Sequence, residues 1–136
     1  MTADAIIALR RALRVALVAN GPLTARLGGP EIYDEAPRNT TPPYVAFGDV
    51  RSRDWSTVSD SGAEHSFAID VWSQHHGVNE ALEIAALVAS ALETTTPVLA
   101  GHRLISMFPQ SVESRRENGG RYTRARQIFR AVTEKI

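Results

Sequence analysis

"EHSFAIDVWSQHHGVNEALEIAALVASAL", residues 64–92, changes its hydrophobic period near the middle. From Glu64 to Ser73 the side chains alternate, which is typical of a strand with one buried face. The apolar residues of that face are Phe67, Ile69 and Val71. From Asn79 to about Thr94 the period is helical, with Asn79 as the expected N-cap. The apolar stripe of this helix is Ala81, Ile84, Ala85, Val88 and Leu92.

Two adjacent histidines, His75 and His76, stand between the strand and the helix. Neighbouring side chains point apart in regular structure, so both rings could bind one metal only in a special turn. The nearby acids Asp70 and Glu80 complete no metal-binding motif with them. A structural corner is therefore the favoured interpretation. The alternative is a small metal-dependent or acid/base enzyme in which His76 works with Asp70 or Glu80.

The N-terminal third predicts helices and then a connector. Residues 3–20 have a helical apolar stripe, and residues 22–27 fit one further short helix that ends at the glycines 28–29. The segment 31–43 is rich in proline, which favours an irregular connector. Tyr44 to Arg51 is then predicted to be the first major strand.

The rest of the chain predicts a hairpin and a second pair of strands. Polar residues 52–63 surround one tryptophan and suit the tip of a long hairpin. Residues 103–108 read as a further strand, and Glu117-Asn118-Gly119-Gly120 is a strong turn signal. The final segment, residues 121–136, fits a helix and a strand about equally well, but the turn before it favours a strand.

Length and composition limit the classes of protein that are possible. A chain of 136 residues with 43% hydrophobic and 22% charged residues suits a single globular domain, residues 1–136. The absence of cysteine excludes disulfides, thiolate metal sites and cysteine nucleophiles. No apolar run approaches the roughly 20 residues of a membrane helix. We expect no membrane segment, no cofactor, no metal and no catalytic residue.

The charged residues are unevenly distributed along the chain. Residues 1–100 carry 7 basic and 12 acidic side chains, and residues 101–136 carry 8 and 3, which gives about −5 and +5. This asymmetry suggests contact between copies or a nucleic-acid surface. A DNA-binding module is the weaker alternative, because the chain has no recognition helix and no net positive charge.

Two groups of residues are candidates for an interface. Trp55 lies in a polar segment beside Arg51 and Arg53, a composition typical of an interface anchor, although local loop packing is an equal alternative. The second group is basic and consists of Arg115, Arg116, Arg124 and Arg126. Trp72, in contrast, is expected in the core, since large aromatic residues dominate core burial.

The ordered set of these pieces resembles a known family. Ile32-Tyr33-Asp34 with Ala36-Pro37, then Pro43-Tyr44-Val45, then Val71-Trp72-Ser73 leading into the helix, are similar to the tail-completion or tail-terminator proteins of long-tailed phages. The resemblance covers nearly the whole chain. It also favours a strand for the final segment and a corner for the histidine pair.

The resemblance implies an α+β subunit with about four mainly antiparallel strands and two packed helices. Such subunits form a ring, commonly a hexamer, that caps the tail tube and joins tail to head. The implied partners are other copies, the tail tube protein and a head–tail connector or stopper, with DNA passing through the lumen without sequence readout. The implied location is the bacterial cytoplasm during assembly and then the head–tail junction.

Three expectations follow for this chain as a member of such a ring. The acidic flank of one copy can meet the basic flank of the next in a closing contact. The segment 50–62, with Arg51, Arg53 and Trp55, can reach the tail tube or the connector. The source is open between a phage, a prophage and a gene transfer particle, since a bias for arginine over lysine suits any GC-rich genome.

Overall fold

The computed structural model describes residues 2–75 and 77–136 and forms one sheet with helices on one face. The helices are α1 (Thr2–Val18), α2 (Gly21–Leu27) and α3 (Asn79–Thr94). The strands are β1 (Ile32–Tyr33), β2 (Tyr44–Asp54), β3 (Gly62–Ser73), β4 (His102–Glu117) and β5 (Tyr122–Lys135). None of the described helices is both long and apolar enough to cross a bilayer.

The sheet confirms the α+β prediction and differs slightly in its counts. Its order is β1-β2-β3-β5-β4, and every neighbouring pair is antiparallel except β1 and β2. The expected four strands become five because the two-residue β1 pairs with β2. The third helix is the short α2. Its N-cap Asn20 accepts a hydrogen bond from the Leu23 backbone, and the helix ends at Gly28, which has a left-handed backbone conformation.

The core lies between the helices and one face of the sheet. The buried α1 stripe includes Leu9, Leu13 and Leu17, all fully buried, as helical spacing predicts. In the sheet, the rings of Phe67 and Phe129 stack with their centroids 5.6 Å apart. The predicted α3 stripe, Ala81, Ile84, Ala85, Val88 and Leu92, is buried throughout.

The start of α3 differs from the prediction. Asn79 is the first helical residue, and Val78, which has no capping side chain, precedes it. The first turn of α3 is instead connected to the end of β3. The Ser73 hydroxyl donates a hydrogen bond to a Glu80 carboxylate oxygen at 2.7 Å. Because backbone helicity already begins at Val78, Asn79 falls inside the first turn and cannot act as the cap.

The strands extend further than the hydrophobic pattern predicts. The hairpin tip shrinks from residues 52–63 to residues 55–61, because polar residues on both sides still pair across β2 and β3. The prediction of residues 103–108 as a strand covers less than half of β4. Residues 109–116 are exposed on both faces, so no apolar alternation marks them as strand.

The final segment is a strand, as the turn chemistry favours. Asn118, Gly119 and Gly120 all have positive φ, 53°, 68° and 87°, a conformation that asparagine and glycine tolerate best. The following β5 lies between β3 and β4, and its alternate residues are buried against the helices. Its other residues, including Arg124, Arg126 and Arg130, point to the opposite face of the sheet.

Candidate assembly surfaces

The face of the sheet opposite the helices, here called the open face, holds most of the predicted basic residues. Residue parity places Arg124, Arg126, Ile128 and Arg130 of β5 on it, beside Trp72, Asp70, Ala68 and Ser66 of β3. The open face therefore collects three of the arginines of β5.

Arg126 ties together three strands from the centre of the open face. Its guanidinium donates to both carboxylate oxygens of the buried Asp70, at 2.8 and 2.9 Å, and to Asp49 at 3.2 Å. The hydrogen bonds with Asp70 raise the pKa of Arg126 above its ordinary value, and Asp49 adds to this effect. Gly48 leaves the necessary space, since a Cβ there would lie 2.9 Å from an Asp70 oxygen.

A second cluster, around Trp55, lies on the open face beside the hairpin tip. Glu64 accepts from Arg53 at 2.6 Å and also from Arg130, and these bonds, first that with Arg53, lower the pKa of Glu64. The guanidiniums of Arg53 and Arg130 lie 5.0 and 5.6 Å from the centroid of the Trp55 ring. The indole is 47% exposed. Trp55 is thus held locally by cations and still presents one side to solvent.

Arg124 belongs to a third cluster, at the opposite end of the open face. Its guanidinium lies 3.4 Å from a Glu117 carboxylate oxygen and 5.7 Å from the centroid of the Trp72 ring. Trp72 stacks on Tyr44 with centroids 6.2 Å apart, and burial raises the pKa of Tyr44. The expectation that Trp72 lies in the core is wrong, because it follows Val71 in the strand and must point away from the helices.

These contacts change the meaning of the charge asymmetry in the sequence. Arg126 and Arg130 of the basic C-terminal segment pair with Asp70 and Glu64 of the acidic part, because β5 lies beside β3. Much of the opposite charge therefore meets inside one subunit. Arg124 and Arg126 thus have acidic partners within the subunit.

One edge of the sheet is formed by β4, and its far end is basic. Arg115, Arg116 and Arg121, here called the basic end, are all exposed around the β4–β5 turn. Arg116 donates to the Thr123 hydroxyl at 3.0 Å, and Arg121 lies over Tyr122. Of the predicted interface residues, Arg115 and Arg116 are thus at a free edge, and Arg51 is exposed on β2.

The other edge of the sheet begins at β1 and carries three acids in its own segment. Glu31, Asp34 and Glu35, here called the acidic edge, occur within five residues, and Arg10 and Arg14 of α1 lie beside them. Asp34 is paired with Arg10 at 2.6 Å, and Glu31 accepts from the Tyr33 hydroxyl. Asp34 retains 73% side-chain exposure despite its partner, and Glu35 is also exposed.

An apolar groove of about 840 Å³ lies between the end of α3 and the first half of β4. Val98, 90% exposed, forms its rim together with Ile105 and Phe108 on β4. On the other side of Val98, the outer surface of α1 exposes Ile7 and Val15. Exposed apolar side chains are thus concentrated at this corner of the subunit.

The histidine corner is held by structural contacts. The Nε2 atom of His75 lies 3.3 Å from a Glu80 carboxylate oxygen, and Arg26 of α2 lies 3.7 Å from the same oxygen. Of the two acids that the enzymatic alternative offered to His76, Asp70 is paired with Arg126 on the open face, and Glu80 contacts Ser73 and His75 on the helix side. His76 lies outside the described residues. Within residues 2–75 and 77–136, no group of three potential ligands could hold a metal ion.

His65 is a buried polar residue of β3. Its Nδ1 atom is 2.7 Å from the Ser52 hydroxyl oxygen, and its Nε2 atom is 2.9 Å from the Thr133 hydroxyl oxygen. Burial, with a smaller effect of His102, lowers the pKa of His65. The strand pattern contained the signal, since His65 shares its parity with Phe67 and Ile69 and must face the helices.

The subunit combines an α+β fold, one helix-covered face of the sheet and two unlike edges. The chain belongs to the family of the tail completion protein gp17, whose family model matches residues 11–134. It is a structural protein of the phage-tail type.

The solved structures include a close likeness to this subunit. A chain of the virion of a native gene transfer agent particle superposes with a TM-score of 0.87 at 30% sequence identity. The match covers 96% of this chain and 97% of the other. A search of curated proteins found no match. The findings together place this protein among the components of phage-like particles.

Proposed function

We propose that this protein forms a ring, most simply a hexamer, that caps the tail tube and joins the tail to the head. Its partners are then other copies of itself, the tail tube protein and the head–tail connector or stopper. DNA passes through the lumen without sequence readout. Assembly takes place in the bacterial cytoplasm, and the finished ring lies at the head–tail junction of the particle.

The observation that carries this proposal is the near-complete match to a subunit of an assembled virion, together with membership of the tail-completion family. The shape of the subunit supports it. Opposite edges of the sheet differ in charge and structure, and a contact between unlike surfaces generates a ring when the rotation closes.

Loss of the gene provides the direct test. We expect particles of the mutant to remain as separate heads and tails in electron micrographs, with tails of irregular length because tube growth is not stopped. Native mass spectrometry of the purified protein should show a closed multiple of the 14.8 kDa subunit. Normally joined particles in the absence of the protein would contradict the proposal.

The hairpin tip, residues 55–61, is proposed to contact the tail tube or the connector. It projects beyond the paired strands, and Val58 at its end is fully exposed. Removing residues 56–60 should leave the subunit folded and prevent joining. A loop of glycine and serine with the original length serves as the control that separates side-chain identity from reach. Full joining by the shortened protein would exclude this role.

A further inference from the structure

We propose that neighbouring copies meet edge to edge, with the basic end of one copy against the acidic edge of the next. The occupant of each edge is therefore a second copy of this chain. This inference rests on the proposed ring and identifies the surfaces that would join its subunits. The contact is assigned to Arg115 and Arg121 on one side and to the acidic edge on the other. Arg124 and Arg126, which have partners inside the subunit, are not part of it.

The strand directions permit this contact. β1 is parallel to β2, and each later step across the sheet, to β3, β5 and β4, is antiparallel. The two edge strands β1 and β4 consequently run in opposite directions. A copy rotated about an axis parallel to the strands keeps its strand directions, so its β1 arrives antiparallel beside β4 of its neighbour.

One charged residue of each edge lies near the same height. The residue register crosses the sheet through Ile32, Val45, Val71, Ala125 and Ser114. Glu31 precedes the first of these residues, and Arg115 follows the last. A neighbour placed side by side, without a large shift along the strands, therefore brings Glu31 of one copy towards Arg115 of the next.

The charges at both edges are available for such a contact. Among the described ranges 2–75 and 77–136, Arg115 and Arg121 form no ion pair, and neither does Glu35. All three side chains belong to exposed residues. A contact between the unpaired guanidiniums of one edge and the unpaired carboxylate of the other joins unlike edges, so it favours a head-to-tail arrangement over a two-fold dimer.

The first half of β4 is poorly suited to pair with the backbone of another strand, which favours a contact at its far end. Register shifts interrupt β4 between Leu104 and Ser106 and between Pro109 and Ser111. Pro109 also lacks a backbone donor. Bulges, proline and charged residues on an edge strand are known obstacles to strand addition. A contact made by charged side chains is consistent with an edge strand whose register is interrupted.

Charge exchange in the full-length protein tests the inference. The gene is replaced by variants in the producing strain, and joined particles are counted by electron microscopy. We expect Arg115→Glu with Arg121→Glu, and separately Glu35→Arg, to reduce joined particles about tenfold or more, since like charges would then face each other. The combined triple variant reverses both edges together and should recover much of the loss.

A matched control reverses the same number of cations elsewhere. Arg103→Glu with Lys135→Glu changes two exposed residues at the other end of the β4–β5 pair, away from the basic end and the acidic edge, and it should join particles normally. Melting of each purified variant confirms folding. If the edge variants join particles as well as the wild type does, the edge contact is wrong while the ring can stand. If loss of the gene leaves joining intact, the proposed function itself fails.

Discussion

The ion pair between Asp70 and Arg126 leaves no space for a side chain at Gly48. Its Cα approaches the open face so closely that an added Cβ would lie 2.9 Å from Asp70 Oδ2 and 3.1 Å from an Arg126 nitrogen. Asp70 is 5% exposed and depends on this guanidinium for compensation. Glycine at this position therefore serves close approach, and its backbone φ is not in the left-handed region.

The substitution Gly48→Ala should consequently destabilise the subunit. We expect a loss of about 1–3 kcal/mol in the free energy of unfolding, because the pair must shift to admit the methyl group. Urea denaturation measures it. Gly21→Ala is the matched control, since no atom lies within 4 Å of its added Cβ, and it should be neutral or slightly stabilising. Equal effects at the two positions would contradict this account.

His65 should make the stability of the subunit depend on pH. The ring is fully buried, its pKa is lowered by burial and by His102, and Glu64 opposes this weakly. Below the ordinary histidine pKa of about 6.5, the unfolded chain binds a proton that the folded protein binds less readily. Stability is then complete above that pH and declines as the pH falls below it.

Melting curves at a series of pH values, from about 8 down to about 5, will measure this decline. His65→Gln should reduce the dependence, because the amide can bond to one of the hydroxyls of Ser52 and Thr133 without titrating. An unchanged slope in the variant would assign the effect to groups other than His65.

At the level of single residues, the sequence identified the arginines but not their roles. Arg126 and Asp70 are 56 positions apart, and their contact depends on the pairing of β3 with β5. No local pattern specifies that pairing. Trp72 was misplaced for a simpler reason, since the two-residue alternation that marked Val71 as core already assigned its neighbour to the other face.

Among the elements, α3 depends on small side chains where it lies on the sheet. Ala85 is 2% exposed within the buried stripe, whereas Ala86, the next residue, faces solvent. Ala85→Leu should cost about 1–3 kcal/mol of stability, because the larger side chain forces the helix away from the sheet. Ala86→Leu adds the same atoms outside and should change stability by less than about 0.5 kcal/mol. Chemical denaturation of both variants compares them directly, and similar losses would mean that α3 has room to move.

Elements with one buried face were predictable, and elements without one were not. β3 and α3 carry clear apolar periods because the core selects one side of each. The second half of β4 is exposed on both sides and gave no signal beyond the turn that follows it. The two-residue β1 lies in the segment that was predicted as an irregular connector, because so short a strand exists only by pairing with β2.

For the whole molecule, salt should separate folding from assembly. Exposed charges at the edges are screened strongly as the Debye length falls from about 10 Å at 0.1 M to about 3 Å at 1 M. The Arg126–Asp70 pair is largely shielded from solvent and is screened less. We therefore expect high salt to dissociate the oligomer in sedimentation experiments while the melting midpoint of the subunit changes little. An oligomer indifferent to salt would indicate that the apolar groove dominates the contact.

The general architecture and the family could be inferred from the order of the pieces, but the arrangement of charge could not. Summing charges along the chain gave two opposite parts, as if they were separate surfaces. Folding places β5 between β3 and β4, so much of that opposition is neutralised internally. Arg115 and Glu35 are examples of exposed charged residues without such a partner among the described residues, and we propose that they contact other copies.

The interrupted register of β4 has a consequence for how this protein behaves in a crowded cell. Regular, unbroken strand borders can recruit any extended polypeptide and stack without limit into fibres. The two register shifts and Pro109 deny such a template to stray chains. Along residues 104–111, free subunits are accordingly less prone to such stacking.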